Sequence, residues 1–578
     1  MAIWDLRRGD ADDDRLSPGG RGLRSIILST LFEFNLLQGA IAFLLLILLP
    51  ALLIGLVPSV ARTYGAVLKG AMTRLLDEPY RGLAVLAICA AVAYWWGVSL
   101  AKYTLRNIWQ LHYTLVFPVF VLVRETVKLI GEGRMRERSS VADLHHLRRI
   151  GTLIAGALFA GGSLLLALVL LKTYGIVSVS LTTAPPRDIM RAAIIDGVIV
   201  LAFSTVASSL FWAWRELSAI SPIINWAPGS VRTPRENIRV AHISDPHIVG
   251  GPNEFRMEPG TRGPRGNDRW SAVLDRLAIL DAEKPFDWIL LTGDVTDAGT
   301  RTEWVEFLDR TARYPQFSGR LLMLPGNHDV NIADRTDAAK LELPLSVGMA
   351  LRKLRFLVAA DSLQGTRVHV VDHVSGKLGP KLDSFLRSDG RDGQVRSLAS
   401  VGSIRGAMNV TRIWHDLFPL VVPPANGQPG VILLNSCSDS HMALTNAIGV
   451  IDPQQLRAVT QLLAEFGDAT WLIALHHQVV EYPTPGATLK ERVGLTLINA
   501  PDLIASMGKH ARRILIMHGH RHRDWIGHCG DFGLCSAPSA VLGNYDGNYA
   551  KGVFHVHDFH ISENGGLRIS ETERITVN

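Results

Sequence analysis

Polar residues of metal-ligand type recur in short clusters through the second half of the sequence, each directly after an apolar run. In chain order they are Asp245-Pro246-His247, Gly293-Asp294-Val295-Thr296-Asp297, Gly326-Asn327-His328-Asp329, His476-His477 and Gly519-His520-Arg521-His522. Together they offer carboxylates, imidazoles and an amide oxygen, with no thiolate. Such a mixed nitrogen and oxygen set suits hard or borderline divalent ions: manganese, iron or zinc, with cobalt and nickel also compatible. The donors suffice for two ions. Any one cluster alone reads equally well as a turn or a strand cap. Their recurrence at successive strand ends points to one shared site.

The elements that must position these residues are legible as apolar runs. Ile238–Ile243, Trp288–Leu291, Leu321–Leu324, Val431–Leu434, Trp471–Leu475 and Ile514–Met517 read as strands. Trp270–Leu280, Thr302–Thr311 and Pro453–Phe466 read as helices between some of them. Strands alternating with helices predict an α/β fold with a mainly parallel sheet, whose ligands gather at the carboxyl ends of the strands. Val553–His557, Leu567–Ser570 and Ile575–Val577, with a turn at Asn564-Gly565-Gly566, predict a hairpin and a second sheet packed on the first. Asp245 and His247 are two apart, as are His520 and His522, so each pair can point the same way. Gly293 and Gly519 remove side-chain bulk beside them.

These five clusters, in this order, resemble the calcineurin-like metallophosphoesterase family, most closely its cyclic-nucleotide and glycerophosphodiester phosphodiesterases. The resemblance covers Ile238 to the C-terminus and implies a two-sheet sandwich flanked by helices. It implies that Asp245, His247, Asp294 and His522 bind one metal. Asp294, Asn327, His476 and His520 would bind the other, with Asp294 bridging. It further implies that His328 is the catalytic imidazole near the leaving group, oriented by Asp297, and that Asp329 is structural. Gln478, where such phosphodiesterases often carry proline, departs from the pattern on the substrate side. Two adjacent cations would support in-line attack on phosphorus by a bridging hydroxide, and a protonated His328 would assist the departing oxygen. No protein nucleophile and no Gly-rich phosphate loop is called for; Pro228-Gly229 and Gly250-Gly251 are turns. His477, His518 and His441 lie near these motifs, with contact to substrate and simple packing both open.

Residues 331–430 separate the third motif from the next strand and are too long for a bare loop, so a cap over the site is expected. Its helix-like run Val347–Ala359 carries Arg352, Lys353 and Arg355, which predicts either a solvated face or one resting on anionic lipid.

The first half has a different composition. The chain has 578 residues, a formal charge of +6 and a mean hydropathy of +0.19, and its long apolar runs lie before residue 215. After a polar tail (1–24), a transmembrane domain (25–214) is expected with spans near Leu36–Val57, Gly82–Ala101, Gly151–Leu171 and Ala192–Trp214. Leu111–Val123 reads as interfacial or re-entrant, and Asp196 as an interfacial residue. Arginines beside the apolar runs match membrane flanks rather than a nucleic-acid surface, so a lipid bilayer is the expected partner and no nucleic acid is. Arg134, Arg136, Arg138, Arg148 and Arg149 mark a cytoplasmic loop, which puts the soluble domain, after a linker at 215–237, in the cytoplasm. The four cysteines show no CxxC spacing, which argues against thiolate zinc or a disulfide framework. The expected function is membrane-anchored hydrolysis of a phosphodiester or phosphomonoester. The alternatives are a catalytically silent membrane sensor and a lipid-linked (pyro)phosphate hydrolase. The substrate's identity and the oligomeric state are not encoded in these motifs.

Overall fold

The computed structural model describes residues 3–12, 44, 48–97, 116–134, 141–219, 223–225, 238–331, 346–425, 427–437, 439, 446–482, 492, 495, 497–544, 549–562 and 564–578. It divides into two compact units, Gly39–Ser218, and Met1–Gln38 together with Ala219–Asn578.

The first unit is helical. Among the described residues, two helices are long and apolar enough to cross a membrane, Ala142–Tyr174 and Pro186–Ser218. They contain the third and fourth expected spans. Much of the first expected span lies outside the described residues, and its described end is a short helix, Leu49–Gly55, followed by a separate helix Val57–Asp77. The second is helical over Pro79–Val92 and leaves the described residues after Gly97. The run expected to be interfacial starts a helix at Phe117–Glu132, with Pro118 in the first turn, where a missing N–H costs nothing. That helix carries buried charges that are matched: Arg124 Nη1 and Lys128 Nζ each lie 2.8 Å from a different oxygen of Glu216. Asp196 is buried and accepts from the backbone N–H of Val177 at 2.9 Å.

The second unit holds two sheets. Its strands are β1 (Ile223–Asn225), β2 (Ile238–Ile243), β3 (Trp288–Leu291), β4 (Leu321–Met323), β5 (His369–Val371), β6 (Leu378–Lys381), β7 (Leu420–Val422), β8 (Gly430–Leu433), β9 (Trp471–Ala474), β10 (Ile514–His518), β11 (Trp525–Cys529), β12 (Phe532–Ser536), β13 (Gly552–Ile561) and β14 (Leu567–Val577). One sheet runs β1-β11-β12-β10-β9-β8-β7-β5-β6 and the other β14-β13-β2-β3-β4. The pairs β2–β3–β4 and β8–β9–β10–β12 are parallel. Their strands are buried almost throughout, which is why they read as continuous apolar runs rather than alternating ones. Helices Asp268–Glu283, Arg301–Thr311 and Pro453–Glu465 connect or flank them. The second of these opens with a capping box, Thr300 and Glu303 each accepting from the other's backbone N–H. The C-terminal hairpin is one long pair, with Gly565 at φ 71° in its turn.

Three expectations are corrected. The tail expected to be polar is packed in part: Ile3, Leu6 and Ala11 are buried in the main core of this unit, and the Asp10 carboxylate meets Arg355 Nε and Nη2 at 2.7 and 2.9 Å. Part of the expected linker is structured, since helix Pro186–Ala219 runs into it and β1 pairs with β11. The 331–430 insertion adds β5, β6 and β7 to the edge of the larger sheet. Its helix Val347–Gln364 is a core helix, with Leu351, Leu354, Phe356, Leu357 and Val358 buried. Lys353 and Arg355 are each 3% exposed, so this helix offers neither of them to lipid or solvent. They are buried because partners distant in sequence neutralise them: Asp439 sits 2.5 Å from Lys353 Nζ, and Asp10 faces Arg355. Residues 332–345, at the start of the insertion, lie outside the described residues.

Candidate metal centre

The motif residues gather where the two sheets present their carboxyl strand ends. Asp245 and His247 follow β2, Asp294 follows β3, and Asn327 and His328 follow β4; His476 follows β9, and His520 and His522 follow β10. The backbone bends sharply at these points. Among the described residues, the non-glycine residues with positive φ are Asp245, His247, Asp294, His520, His522 and Asp389. Five of the six belong to the expected ligand set. Each such conformation costs on the order of 1 kcal/mol or more and persists only where surrounding structure enforces it. The two glycines singled out in the sequence permit the close approach. A Cβ at Gly293 would lie 2.5 Å from His476 Nδ1, and one at Gly519 would collide with Ser244 and Asp245.

Two groups form. Asp245, His247 and His522 bring ligand atoms within 4.8 Å of one another, and so do Asp294, His476 and His520. In the first, His522 Nε2 is 3.4 Å from Asp245 Oδ1 and 3.4 Å from His247 Nε2. In the second, His476 Nε2 is 3.2 Å from Asp294 Oδ2, 3.1 Å from Asn327 Oδ1 and 3.1 Å from His520 Nδ1. Asp294 Oδ2 also lies 3.9 Å from His247 Nε2, so this one oxygen stands between the two groups. His476 Nδ1 donates to the Thr292 carbonyl at 2.9 Å, which turns Nε2 toward the cluster.

The donor set fits two cations on its own terms. Imidazole nitrogens face each other in buried pairs, where only one proton can sit between them. Asp245 Oδ1 and His520 Nε2 are buried without a hydrogen-bond partner. Burial would raise the carboxyl groups of Asp245 and Asp294, yet the neighbouring imidazoles hold both below their usual range. Burial acts against charge on the imidazoles too, and the carboxylates prevail at His476 and His522, pushing each up to about 9. Negative charge is therefore retained in a dry site, the condition in which a divalent ion replaces protons.

His328 reaches Asp297 through the main chain. Its Nδ1 donates to the Asp297 carbonyl at 2.7 Å, while the Asp297 carboxylate faces His247 Nδ1 at 3.3 Å and accepts from Met257 N–H at 2.7 Å. Burial would lower the His328 pKa, but the charges of Asp294 and Asp297 and the carbonyl bond raise it above its ordinary value. Asp329 accepts from the N–H groups of Gly326, Val295 and Thr296 and from the Thr296 hydroxyl, at 2.7 to 3.2 Å. It ties the loops after β3 and β4 together, a structural part. His477 bonds Ser436 Oγ at 2.8 Å, and His441 lies outside the described residues. Sequence reasoning missed Glu258, whose Oε2 is 3.5 Å from His522 Nδ1. It sits in the loop between β2 and the next helix, with no apolar run to register it.

The calcineurin-like phosphoesterase family profile matches residues 238–524. No curated protein matches the chain. Solved structures with similarity include a dimetal phosphatase from Danio rerio, 12% identical, covering 59% of this chain and 99% of that one, with a TM-score of 0.35. Another, described as a 5'-nucleotidase from Staphylococcus aureus in complex with alpha-ketoglutarate, is 12% identical, with coverages of 59% and 54% and a TM-score of 0.29. A third is a sulfate thiohydrolase, SoxB, from Thermus thermophilus in complex with glycerol, 13% identical, with coverages of 60% and 57% and a TM-score of 0.28. The chain spans little more than half the length of the latter two.

Proposed function

We propose that this chain, which carries a calcineurin-like metallophosphoesterase domain and is a metal-dependent hydrolase, cleaves a phosphomonoester or phosphodiester at a binuclear centre while anchored in a membrane. The observation that carries the binuclear reading is Asp294 Oδ2, 3.2 Å from His476 Nε2 in one group and 3.9 Å from His247 Nε2 in the other. Asp245, His247, Asp294 and His522 would hold one divalent cation, and Asp294, Asn327, His476 and His520 the second. Manganese, iron and zinc suit these donors. When bound, two such ions neutralise phosphate charge and make a water molecule a competent nucleophile at neutral pH. The protein's own contribution is position and proton supply. His328, fixed through Nδ1 by the Asp297 carbonyl, keeps Nε2 for the departing oxygen, and the charges of Asp294 and Asp297 favour its protonated form. The Asp297 carboxylate steadies His247 instead.

The membrane part of the proposal rests on the two long apolar helices, whose Leu153, Leu158, Leu165 and Leu210 are among many exposed apolar side chains. Four crossings, the third and fourth within these helices, and a cytoplasmic catalytic domain agree with the arginine-rich loop before Gly151. The docked N-terminal segment adds support. Residues 3–12 belong to the same compact unit as the catalytic domain, so the chain leaves that unit and returns to it, as an even number of crossings requires. With Lys353 and Arg355 buried, the insertion helix does not favour a lipid substrate, and soluble phosphoesters stand on at least equal terms.

The test uses full-length protein with manganese, assayed on aryl phosphomonoesters and phosphodiesters, then on a cyclic nucleotide and on lipid phosphoesters in vesicles. Parent activity lost by roughly a hundredfold or more in His328→Ala supports the assignment. Parent-like rates in that variant, or no turnover of any phosphoester by the parent, would favour a silent binding protein. A reporter phosphatase fused after Asn578 that is active only on export checks the orientation, and an active one overturns it.

A further inference from the structure

Three more imidazoles meet inside the fold, away from the strand ends. His242 lies on β2, and His555 and His557 lie on β13, beside it in the smaller sheet. His555 is the cross-strand partner of His242. His557, two residues on, shares the face of His555. All three are at most 1% exposed. One ring nitrogen of each lies within 4.8 Å of those of the other two.

Each ring is anchored through one nitrogen only. His242 Nε2 is 3.1 Å from Thr292 Oγ1, His555 Nε2 is 3.0 Å from Asp524 Oδ1, and His557 Nδ1 is 2.9 Å from Thr572 Oγ1. The remaining nitrogens, Nδ1 of His242, Nδ1 of His555 and Nε2 of His557, are buried without a hydrogen-bond partner. One such orphan is an ordinary imperfection, whereas three in one cluster need a common acceptor of their lone pairs. Burial first, and the neighbouring imidazoles after it, hold His242 and His557 well below their ordinary pKa, so neither competes by taking a proton. The Asp524 carboxylate, itself paired with Arg574, takes the Nε2–H of His555 and leaves Nδ1 as a lone pair. A carboxylate behind a histidine in this way is what orients imidazole ligands of metals.

We propose that His242, His555 and His557 bind one divalent cation of the zinc type, separate from the centre at the strand ends. Three neutral imidazoles with no carboxylate among the donors suit zinc, nickel or copper far better than manganese, magnesium or calcium. The ion clamps β13, and with it the C-terminal hairpin, to β2, the strand that delivers Asp245 and His247. The separation of donor chemistries lets one chain hold two kinds of ion.

The test removes the strand-end centre and asks what metal stays. Full-length protein carrying Asp245→Asn, Asp294→Asn and His476→Asn together is loaded with zinc, dialysed and measured for metal per chain, and its affinity is read by competition with a chelator. The expected result is one retained equivalent, with affinity falling ten- to a hundredfold when Asp524→Asn is added, since that change leaves all three imidazoles in place. Cobalt loading should give the visible absorption of a nitrogen-ligated site that His557→Gln abolishes. No retained zinc in the triple variant overturns the proposal. Retained zinc whose affinity ignores both Asp524→Asn and His557→Gln overturns it as well, because the ion is then elsewhere.

Discussion

At the strand ends, Asp245 Oδ1 and His520 Nε2 are buried without a hydrogen-bond partner. Beneath the N-terminal segment, buried Arg355 and Asp361 are both matched by partners within the protein. Arg355 meets Asp10 through two nitrogens, Asp12 at 3.0 Å and the Gly299 carbonyl at 3.1 Å. Asp361 accepts from the Ile3 N–H at 3.2 Å and pairs with Arg387 at 3.0 Å. Both regions are dry, so the dielectric penalty on a lone polar atom is comparable. What separates them is whether the protein itself completes the bonding. Where it does, the contacts hold the fold together. Where it does not, something from outside is required, and the strained backbone at Asp245, His247, Asp294, His520 and His522 marks the same place independently.

Substitution should therefore part activity from stability in opposite ways in the two regions. Asp294→Ala is expected to lower phosphoesterase activity by roughly a hundredfold or more, as loss of the carboxylate proposed to bridge the two cations would. In metal-free protein it should leave the thermal midpoint little changed, because relief of the buried carboxylate's desolvation offsets the loss of its contacts with His476 and the His328 N–H. Rates with manganese and thermal melts without it check both halves; a fall in both would dissolve the contrast. Arg355→Ala should do the reverse. It leaves Asp10 buried and uncompensated, at a cost on the order of 3 kcal/mol, while the folded fraction keeps its turnover. Denaturant unfolding measures the loss, and adding Asp10→Ala should recover part of it. Strict additivity of the two would mean that the pair is not coupled. Leu6→Ala, at a residue 2% exposed in the same core, should cost about 2 kcal/mol, toward the low end for such truncations because a terminal segment can settle into the space. A cost near zero would mean that the segment does not dock in solution.

The same contrast explains what could be read in the sequence. The strand-end residues were legible because their signal is local: an apolar run, a break, then ligand-type residues two apart, repeated. The bonds within the centre are distant in sequence, but the residue types alone declare them. The insertion helix was misread for the opposite reason. Arg352, Lys353 and Arg355 look like a solvated face until Asp439 and Asp10 are known to reach two of them, and no local pattern records a partner 345 residues away. The tail carried a faint signal, Ile3 and Leu6 at helical spacing amid acidic residues, outweighed by its composition. The second histidine cluster was also within reach, since His555 and His557 alternate on a strand, but its third member, His242, hides in an apolar run. The edge strands β5, β6 and β7 and the β11–β12 hairpin had no clean apolar alternation to show.

Glu303 stands where the two regions meet. Its Oε2 accepts from the N–H groups of Ala298 and Thr300 at 3.0 and 2.9 Å, in the loop that also gives the Gly299 carbonyl to Arg355 and the Asp297 carboxylate to His247 at the candidate centre. Two backbone donors at a helix start favour the ionised form. Burial, and after it the charge of Asp297, oppose them and push Glu303 up to about 8. The folded protein then holds this proton more tightly than the unfolded chain, whose glutamates titrate near 4.3. Stability contributed by the protonated group is complete below that value and is lost as pH rises toward 8, at no more than about 1.4 kcal/mol per pH unit. Glu303→Gln keeps an acceptor for the two N–H groups and removes the titration. Unfolding free energies of metal-free protein at pH 6 and pH 7 should therefore differ more in the parent than in the variant, by about 1 kcal/mol. Equal pH dependence in both would mean that the two N–H donors prevail and Glu303 is ionised throughout. The loop would then belong to the matched region rather than to the centre's unsatisfied one.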